Sequence, residues 1–375
     1  MTEKVPLKEA AINAERVTRI GHEIQAVCPA FDADRFAREV IADLPPLALK
    51  ARIARTSAGL HKHLPVSGAQ ALDVLLRSLP ATPEEAGITT DFGLHLYSPH
   101  SDYVARYCRT IDNLTSSLDA LARMTPYFTA EDAARYFIAD FPQETMATVN
   151  GWAQHPDHRV RRLASESTRP TLPWSIRIPL AIDAAMPVLD QLYTDPSRYV
   201  TRSVANHLHD ISAERPDIVL ATLQRWKEAG GATGKEFEFI AREALRTLLK
   251  TGDTAAYEFL GYPAEPPITL PSLHLERHEL REGETLAFTA KLSATALAKL
   301  RVSYVISSTT LTGSQRQKVY FLKDTRAEAG QALNLSKAHR VRTTATTTIR
   351  PGTHTLTLQV NGRRFAPTEF QVLEP

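Results

Sequence analysis

The stretch from His155 to Trp174 (HPDHRVRRLASESTRPTLPW) concentrates side chains that can bind anions and stabilise a positive charge. Arginines surround Glu166 in this stretch; they are Arg159, Arg161, Arg162 and Arg169. Guanidinium groups bind phosphates and carboxylates through charge-assisted hydrogen bonds, and a preorganised carboxylate stabilises a cation that develops during a reaction. The stretch therefore predicts a helix end that presents arginines, a carboxylate and an aromatic ring to a partner outside the fold.

Local signals place most of this stretch on a helix. Pro156 suits the first turn of a helix, where a missing N–H costs nothing, and Pro170 and Pro173 end the helix. Arg162 and Glu166 lie four residues apart, so they share one helix face and can pair. Such a pair is also compatible with an ordinary solvated face held by weak salt bridges, and the pattern alone leaves both interpretations open.

An internal period of 40 residues relates this stretch to the chain that follows it. Apolar residues recur at one phase of the period and arginines at another; they are Val160, Val200 and Ile240, and Arg162, Arg202 and Arg242. Helical repeats of about 40 residues are typical of HEAT and armadillo solenoids. Stacking of such units would bring the three arginines to one concave edge, where they could follow a polyanion backbone.

Residues 1–265 predict helices throughout, and hence a HEAT-like α-solenoid as the first domain. Amphipathic segments alternate with short Pro, Asp or Ser breaks; the clearest are Asp34–Leu44, Gly68–Leu79, Asn113–Met124, Thr129–Ile138 and Glu144–Gln154. Thr129-Ala-Glu-Asp has the form of a capping box with Thr129 as N-cap. Trp152 and Trp226 fall inside amphipathic segments and are predicted to be core residues.

The pattern changes after a Pro-rich linker at residues 262–271. Beyond it, apolar and polar residues alternate at period two in four segments, Leu286–Leu292, Leu300–Ile306, Lys318–Leu322 and His354–Val360. Arg350-Pro-Gly and Asn361-Gly are turn signals, the second typical of a hairpin. Residues 266–375 are therefore predicted to form a small immunoglobulin-like β-sandwich of six or seven strands.

Charge is distributed unevenly between the two parts. Residues 268–375 contain 15 Lys/Arg and 8 Asp/Glu, whereas the rest of the chain contains 29 and 34. A basic module on a mildly acidic one favours a polyanion partner for the former. Cys28 and Cys108 do not form a disulfide framework, and no stretch approaches the length of a membrane span. We therefore expect a cytoplasmic protein that does not bind membranes.

Three segments resemble the signature motifs of the AlkC family of DNA alkylation-repair glycosylases. They are Phe128-Thr-Ala-Glu-Asp-Ala-Ala-Arg-Tyr-Phe137, residues 160–174 (VRRLASESTRPTLPW) and Arg202-Ser-Val-Ala-Asn-His-Leu-His-Asp210. The tail, with Arg340-Val-Arg, Pro351-Gly-Thr-His and Val360-Asn-Gly-Arg, resembles the immunoglobulin-like domain of many members. The resemblance covers nearly the whole chain in the same order.

This resemblance implies a monofunctional DNA glycosylase acting in base excision repair. It implies a HEAT-like solenoid that binds duplex DNA and excises bases alkylated at N3, chiefly 3-methyladenine and 3-methylcytosine. It also implies that no metal or other cofactor takes part and that the base is not flipped into a pocket. We expect a monomer associated with the bacterial nucleoid, with the sandwich clamping the DNA.

The resemblance assigns roles to individual residues. Glu131 and Glu166 match the motif carboxylates, as stabiliser of an oxocarbenium-like sugar and as water-orienting group, in either order. Trp174 matches the aromatic residue at the lesion, and Asp132, Asn206 and Asp210 are expected to line the same groove. Contacts with the DNA backbone are assigned to Arg161, Arg162, Arg169, Arg202, Arg242, Arg340 and Arg342.

Each central assignment has a structural alternative. Glu131 can be a first-turn acid favoured by the helix dipole, Glu166 a salt-bridge partner of Arg162, and Trp174 a core residue. Asn206 and Asp210 can pair with nearby basic side chains. The chain departs from the family pattern at Asp132, Tyr136 and Ser167, where members usually have an aromatic residue, a proline and a glycine.

The rival function is a non-catalytic, HEAT-like protein that binds DNA structures or acts as a scaffold. Two carboxylates among arginines favour the enzyme, because a pure binder gains nothing from carboxylates that face phosphates. Four histidines near the motifs lack the spacing of a zinc site, and no cysteine joins them; they are His155, His158, His207 and His209.

Overall fold

The structure, a computed structural model, describes residues 5–309, 315–344 and 348–374. Helices fill the first part and strands the last, which confirms the predicted order of α then β. In the described ranges the α-helices are α1 (Leu7–Ala11), α2 (Ala14–Val27), α3 (Ala33–Asp43), α4 (Leu49–His63), α5 (Gly68–Arg77), α6 (Ser98–Tyr107), α7 (Leu114–Met124), α8 (Glu131–Asp140), α9 (Pro142–Trp152), α10 (His158–Ser167), α11 (Met186–Leu192), α12 (Arg198–Ser212), α13 (Pro216–Ala229), α14 (Gly234–Ala244), α15 (Arg246–Thr251) and α16 (Thr254–Phe259). None of these helices, as far as the chain is described, is long and apolar enough to cross a membrane.

The five helices predicted with explicit bounds all form, with ends displaced by at most two residues. The predicted capping box was wrong. Helix α8 begins at Glu131, its N-cap is Ala130, and no side chain caps it. The Thr129 hydroxyl instead donates to the Glu131 carboxylate and accepts from Arg162. The Thr129 hydroxyl, which the local sequence assigned to the helix cap, therefore binds Arg162, 33 residues further along the chain.

Helix α10 carries the central motif, and its start differs from the prediction by two residues. Asp157 rather than Pro156 marks the entry, because the Asp157 carboxylate accepts a hydrogen bond of 2.8 Å from the backbone N–H of Arg159. Val160 and Leu163 are fully buried on the apolar face. Helix α10 packs against α7, α8, α9 and α11, so its polar face is fixed relative to the start of α8.

The chain divides into two compact units, Met1–Ile211 with Gly230–Ile240, and Ser212–Ala229 with Ala241–Pro375. The predicted domain boundary after residue 265 lies between α16 and the first strand. Helices α13, α15 and α16 belong to the same compact unit as the strands. In the first unit, Val160, Val200 and Ile240 are all buried, which is the pattern expected of the apolar phase of a 40-residue repeat.

The strands of the second unit form two sheets. In the described ranges they are β1 (Ser272–Leu275), β2 (Glu279–Leu280), β3 (Thr285–Ser293), β4 (Ala298–Thr309), β5 (Gln315–Ala327), β6 (Ala332–Arg340), β7 (Gly352–Val360) and β8 (Arg363–Val372). The sheet orders are β1-β3-β6 and β2-β8-β7-β4-β5. The pairing is antiparallel except between β2 and β8. The four predicted segments fall in β3, β4, β5 and β7, and β8 follows the predicted hairpin turn. The strands β1, β2 and β6 were not predicted, and β1 and β2, with four and two residues, carry too little alternation to be recognised.

Two glycines bring the helices of the second unit against its strands. Gly252 ends α15 with φ 88°, and Gly362 forms the predicted β7–β8 hairpin turn with φ 87°, after Asn361 at φ 46°. A Cβ at Gly252 would lie 2.7 Å from the Gly362 carbonyl oxygen, and a Cβ at Gly362 would lie 2.9 Å from that of Gly252. Only glycine fits both the left-handed conformation and this backbone contact.

Asp324 of β5 joins several groups of the second unit. Its carboxylate accepts from Arg242 at 2.8 Å and from the Tyr262 hydroxyl at 2.6 Å, and Arg301 lies 3.7 Å away. Hydrogen bonds from charged donors to a carboxylate of limited exposure are among the stronger polar interactions of a fold. Asp324 therefore fixes the end of α14 and the linker against the sheet.

We expect Asp324→Asn to lower the free energy of unfolding of the second unit by about 1–3 kcal/mol, because several donors lose a charged acceptor. Asp217→Asn is the matched control, since Asp217 pairs with Arg215 on an exposed surface and such pairs contribute little to stability. Urea titration followed by the fluorescence of the buried Trp226 measures both. Equal losses in the two variants would contradict the role given to Asp324.

Candidate functional site

The guanidinium of Arg162 lies between the two predicted catalytic carboxylates. Its Nη1 is 3.0 Å from Oε2 of Glu131, and its Nη2 is 3.5 Å from Oε2 of Glu166. The guanidinium carbon also lies 4.9 Å from the centroid of the Tyr199 ring, a cation–π contact. All three charged side chains are buried. The structure thus brings together Glu131 and Glu166, which are 35 residues apart in sequence, through one shared cation.

Both oxygens of Glu166 are occupied. Oε1 accepts a 2.6 Å hydrogen bond from Arg169, and Oε2 accepts one of 2.6 Å from the Ser203 hydroxyl. Burial alone would raise the pKa of Glu166, but Arg162, Arg169 and Ser203 together hold this pKa below its ordinary value. Glu166 is therefore an ionised carboxylate at neutral pH, held in a fixed orientation.

Arg169 continues the network to Asp210. Its Nε and Nη2 donate to the two Asp210 oxygens at 2.9 and 3.2 Å, a bidentate pair. Burial opposes ionisation of Asp210, yet the neighbouring His209 side chain and the hydrogen bonds from Arg169 keep its pKa below the ordinary value. Charges therefore alternate from Glu131 through Arg162, Glu166 and Arg169 to Asp210, across α8, α10 and α12.

Trp174 is not a core residue. Half of its surface, 51%, is exposed, whereas Trp152 and Trp226 are buried as predicted. The Nζ of Lys50 donates to the main-chain oxygen of Trp174 and lies 2.9 Å from Oδ2 of Asp132. Because Asp132 follows Glu131 in the first turn of α8, this lysine ties the backbone of Trp174 to the helix end that carries the carboxylate.

Several residues assigned to the DNA backbone have different surroundings. Arg161 donates to both oxygens of Asp195, at 2.5 and 3.1 Å, and to two main-chain oxygens. Arg242 lies in the second compact unit, where Asp324 accepts from it. Arg162 is buried and Arg169 is half-buried within the network. These four already have protein partners, so contacts of their side chains with phosphate remain predictions.

The remaining assigned positions differ in exposure. Arg202 is exposed on α12 and forms no ion pair with any described residue, while Asn206, one turn further on, is half-buried. Arg340 and Arg342 are exposed in the second unit, and Arg340 donates to the main-chain oxygen of Gly283 at 3.2 Å. Exposed arginines of this kind are available to a polyanion.

Sequence reasoning missed several members of the site. Ser203 and Tyr199 flank Arg202 on α12, and Thr129 was assigned to a helix cap. Arg135 stands one turn after Glu131 on a predicted helix, which was a usable signal. No signal in the sequence pointed to Lys50, since it lies 82 residues before its partner Asp132.

Comparisons with known proteins indicate the family of the chain. A family profile described as "Uncharacterised protein YhaZ, C-terminal Ig-like domain" matches residues 269–374. "Uncharacterized protein YhaZ" of Bacillus subtilis (strain 168) is 31% identical over 364 residues, covering 96% of this chain and 98% of that protein. The structure of Pseudomonas fluorescens alkylpurine DNA glycosylase AlkC bound to DNA containing an abasic site analog has a TM-score of 0.86 and 33% identity, covering 98% of this chain and 99% of that one. The chain belongs to the AlkC family.

The lowered pKa values of Glu166 and Asp210 predict a stability that depends on pH. A carboxylate with a lower pKa in the folded state stabilises that state above its unfolded pKa of about 4, and loses this contribution as pH falls through the folded pKa. We expect the free energy of unfolding to fall as the pH drops below about 5 and through the folded pKa values, by up to about 1.4 kcal/mol per pH unit for each proton taken up.

Glu166→Gln should make this fall shallower, because it removes one titrating group from the network. Glu144→Gln, which changes an exposed carboxylate on α9, is the control and should leave the slope as in the unmodified chain. Denaturant titrations at successive pH values measure all three proteins. An unchanged slope in Glu166→Gln would show that Glu166 does not stabilise the fold through its charge.

Proposed function

We propose that this chain is a DNA glycosylase that excises cationic N3-alkylated bases, 3-methyladenine and 3-methylcytosine, from duplex DNA in base excision repair. The observation that carries the proposal is the pair of buried carboxylates, Glu131 and Glu166, on either side of Arg162. These residues lie in a chain similar over its whole length to an AlkC glycosylase with bound DNA.

The chemistry of the substrate explains why so few groups are needed. A base alkylated on a ring nitrogen is a cation, so the electron pair of the breaking glycosidic bond neutralises it and no general acid is required. The sugar left behind is oxocarbenium-like at C1′. Water adds to C1′ and loses a proton, giving an abasic site and a free neutral base.

The carboxylates match the two tasks that remain. One stabilises the positive charge on the sugar, and the other orients the attacking water and takes up its proton. Glu166 is held ionised by Arg162 and Arg169, which suits it to stabilise charge without rearrangement. The exposed indole of Trp174 can approach a cationic base or sugar and attract it through its ring face.

The basic surplus of the second unit supports a clamp on the DNA. Phosphate contacts supply most of the affinity of such complexes and release counterions. We propose that Arg202 in the first unit and Arg340 and Arg342 in the second contact phosphates, because all three are exposed.

A non-catalytic DNA-binding or scaffold protein is the second candidate function. One observation favours it, since every carboxylate of the network already has an arginine partner and therefore has a structural role available. The two candidates differ in a single respect that can be measured, whether removal of a carboxylate charge slows bond cleavage more than it weakens binding.

We expect Glu131→Gln and Glu166→Gln to retain binding to an abasic-site duplex, and we expect the more important of the two to lose about 10²–10³-fold in the rate of excision. This is the scale of losing one preorganised electrostatic group. Single-turnover excision with excess enzyme reports the chemical step without product release. Glu144→Gln, which changes an exposed carboxylate of α9, should excise normally.

Excision at the unmodified rate by both variants would remove Glu131 and Glu166 from the mechanism and make Asp132 or Asp210 the next residue to test. Circular dichroism of each variant identifies loss of folding. If both variants only unfold, the carboxylates have a structural role, and this result favours the second candidate function.

We expect Arg202→Ala to weaken binding to damaged and undamaged duplex equally, because phosphate contacts carry no lesion information. The slope of log affinity against log salt should become shallower by about 0.9 per lost contact. Arg342→Ala tests the second unit in the same way, and Arg35→Ala, at an exposed arginine of α3, is the control. A loss confined to lesion DNA would instead place Arg202 at the damaged nucleotide.

A further inference from the structure

The segment from Ser167 to Ile176 connects α10 to the chain that follows and carries both Arg169 and Trp174. It contains no helix or strand after its first residue. We call it the Trp174 segment. Its backbone forms a turn hydrogen bond of 3.0 Å from the Ser175 N–H to the Leu172 oxygen, and side chains from other elements also fix its conformation.

Arg135 of α8 binds both ends of the Trp174 segment. Its Nη1 donates to the main-chain oxygens of Arg169 at 2.7 Å and Ser167 at 3.2 Å, and its Nε donates to that of Ile176 at 2.9 Å. The planar guanidinium has donors in fixed directions. One side chain therefore closes the segment into a loop with Trp174 near its tip.

The surroundings of Arg135 are unusual for a charged residue. It is fully buried, and among the described residues no carboxylate forms an ion pair with it. Burial lowers the pKa of Arg135, and the nearby carboxylates of Asp132, Asp210 and Glu166 oppose this effect only in part. A buried cation without a direct ion-pair partner is costly, so an apolar side chain would satisfy packing at this position more easily. What Arg135 supplies instead is a set of donors that match three carbonyl groups.

Lys50 of α4 holds the tip of the same segment. Its Nζ donates to the main-chain oxygen of Trp174 and pairs with Asp132 at 2.9 Å. Asp132 and Arg135 both belong to α8, which begins at Glu131. The segment is thus fastened, at its ends and at its tip, to the helix that carries one of the two carboxylates.

We propose that Arg135 is a positioning residue. It fixes the Trp174 segment so that Trp174 and Arg169 keep defined positions relative to Glu131, and Lys50 holds the same segment at Trp174. This proposal rests on the proposed function for its link to excision. The positioning itself is a property of the free protein and can be measured without DNA.

The test uses Arg135→Lys in the full-length chain. Lysine keeps the positive charge but replaces the planar fork with a single ammonium, so it cannot span the three carbonyl groups. Arg52→Lys is the matched control, because Arg52 is also buried and donates to main-chain oxygens of Ile12 and Leu47. Its remaining contacts hold α1 rather than the Trp174 segment.

Acrylamide quenching of tryptophan fluorescence reports on the segment. Trp174 is exposed while Trp152 and Trp226 are buried, so the quenchable signal comes from Trp174, and Trp174→Phe supplies the baseline. We expect Arg135→Lys to change this quenching and to slow single-turnover excision by about 10–10²-fold, the effect of misplacing a reacting group by about 1 Å. Binding to undamaged duplex should not change. Arg52→Lys should leave quenching and excision as in the unmodified chain.

A second pair of variants avoids the risk that Arg135→Lys fails to fold. Lys50→Met removes the tie at the tip, and Lys62→Met is its control, since Lys62 is equally exposed and pairs with Glu39. We expect altered Trp174 quenching in the first variant alone. Unaltered quenching in both Arg135→Lys and Lys50→Met would overturn the proposal.

The excision arm separates this proposal from the proposed function. If the unmodified chain excises no base but the quenching changes as expected, the positioning stands and the glycosylase assignment fails. If the unmodified chain excises and Arg135→Lys excises equally fast, Arg135 does not position the reacting groups, and the proposal is wrong.

Discussion

The site depends on the burial of Arg162 between Glu131 and Glu166. Removing a guanidinium from water is costly, and two carboxylates and the ring of Tyr199 compensate here. The dependence also runs the other way, because burying two carboxylates is costly without a cation between them. The packing of α8 against α10 and the burial of these three charges therefore depend on each other.

This constraint explains how a structural network can also serve a reaction. Ser203 and Arg169, which is itself held by Asp210, fix the Glu166 carboxylate in one orientation, so the proposed mechanism would need little reorganisation when a positive charge develops on the sugar. The exposed indole of Trp174 lies on an irregular segment fastened to α8. Rigid carboxylates and a fastened aromatic residue together suit a substrate that already carries its own positive charge.

The local sequence predicted those features of the fold that local interactions determine. The ends of the five helices predicted with explicit bounds were correct to within two residues, and the pairing of Arg162 with Glu166 followed from their separation of four residues. The contact of Arg162 with Glu131 spans 31 residues, and no local pattern contains it. The same limit appears in the repeat, where Arg162 is buried, Arg202 is exposed and Arg242 binds Asp324. The repeat period determines which backbone positions correspond, whereas the neighbouring elements determine which partner each side chain binds.

Analysis of the bases that the unmodified protein releases from methylated duplex DNA tests the proposed glycosylase activity most directly. We expect free 3-methyladenine and 3-methylcytosine in solution, with one abasic site for each base released and without strand cleavage by the protein. Tight binding to the same duplex with no free base would rule out the proposed activity, and would leave the Glu131–Arg162–Glu166 network with a structural role alone.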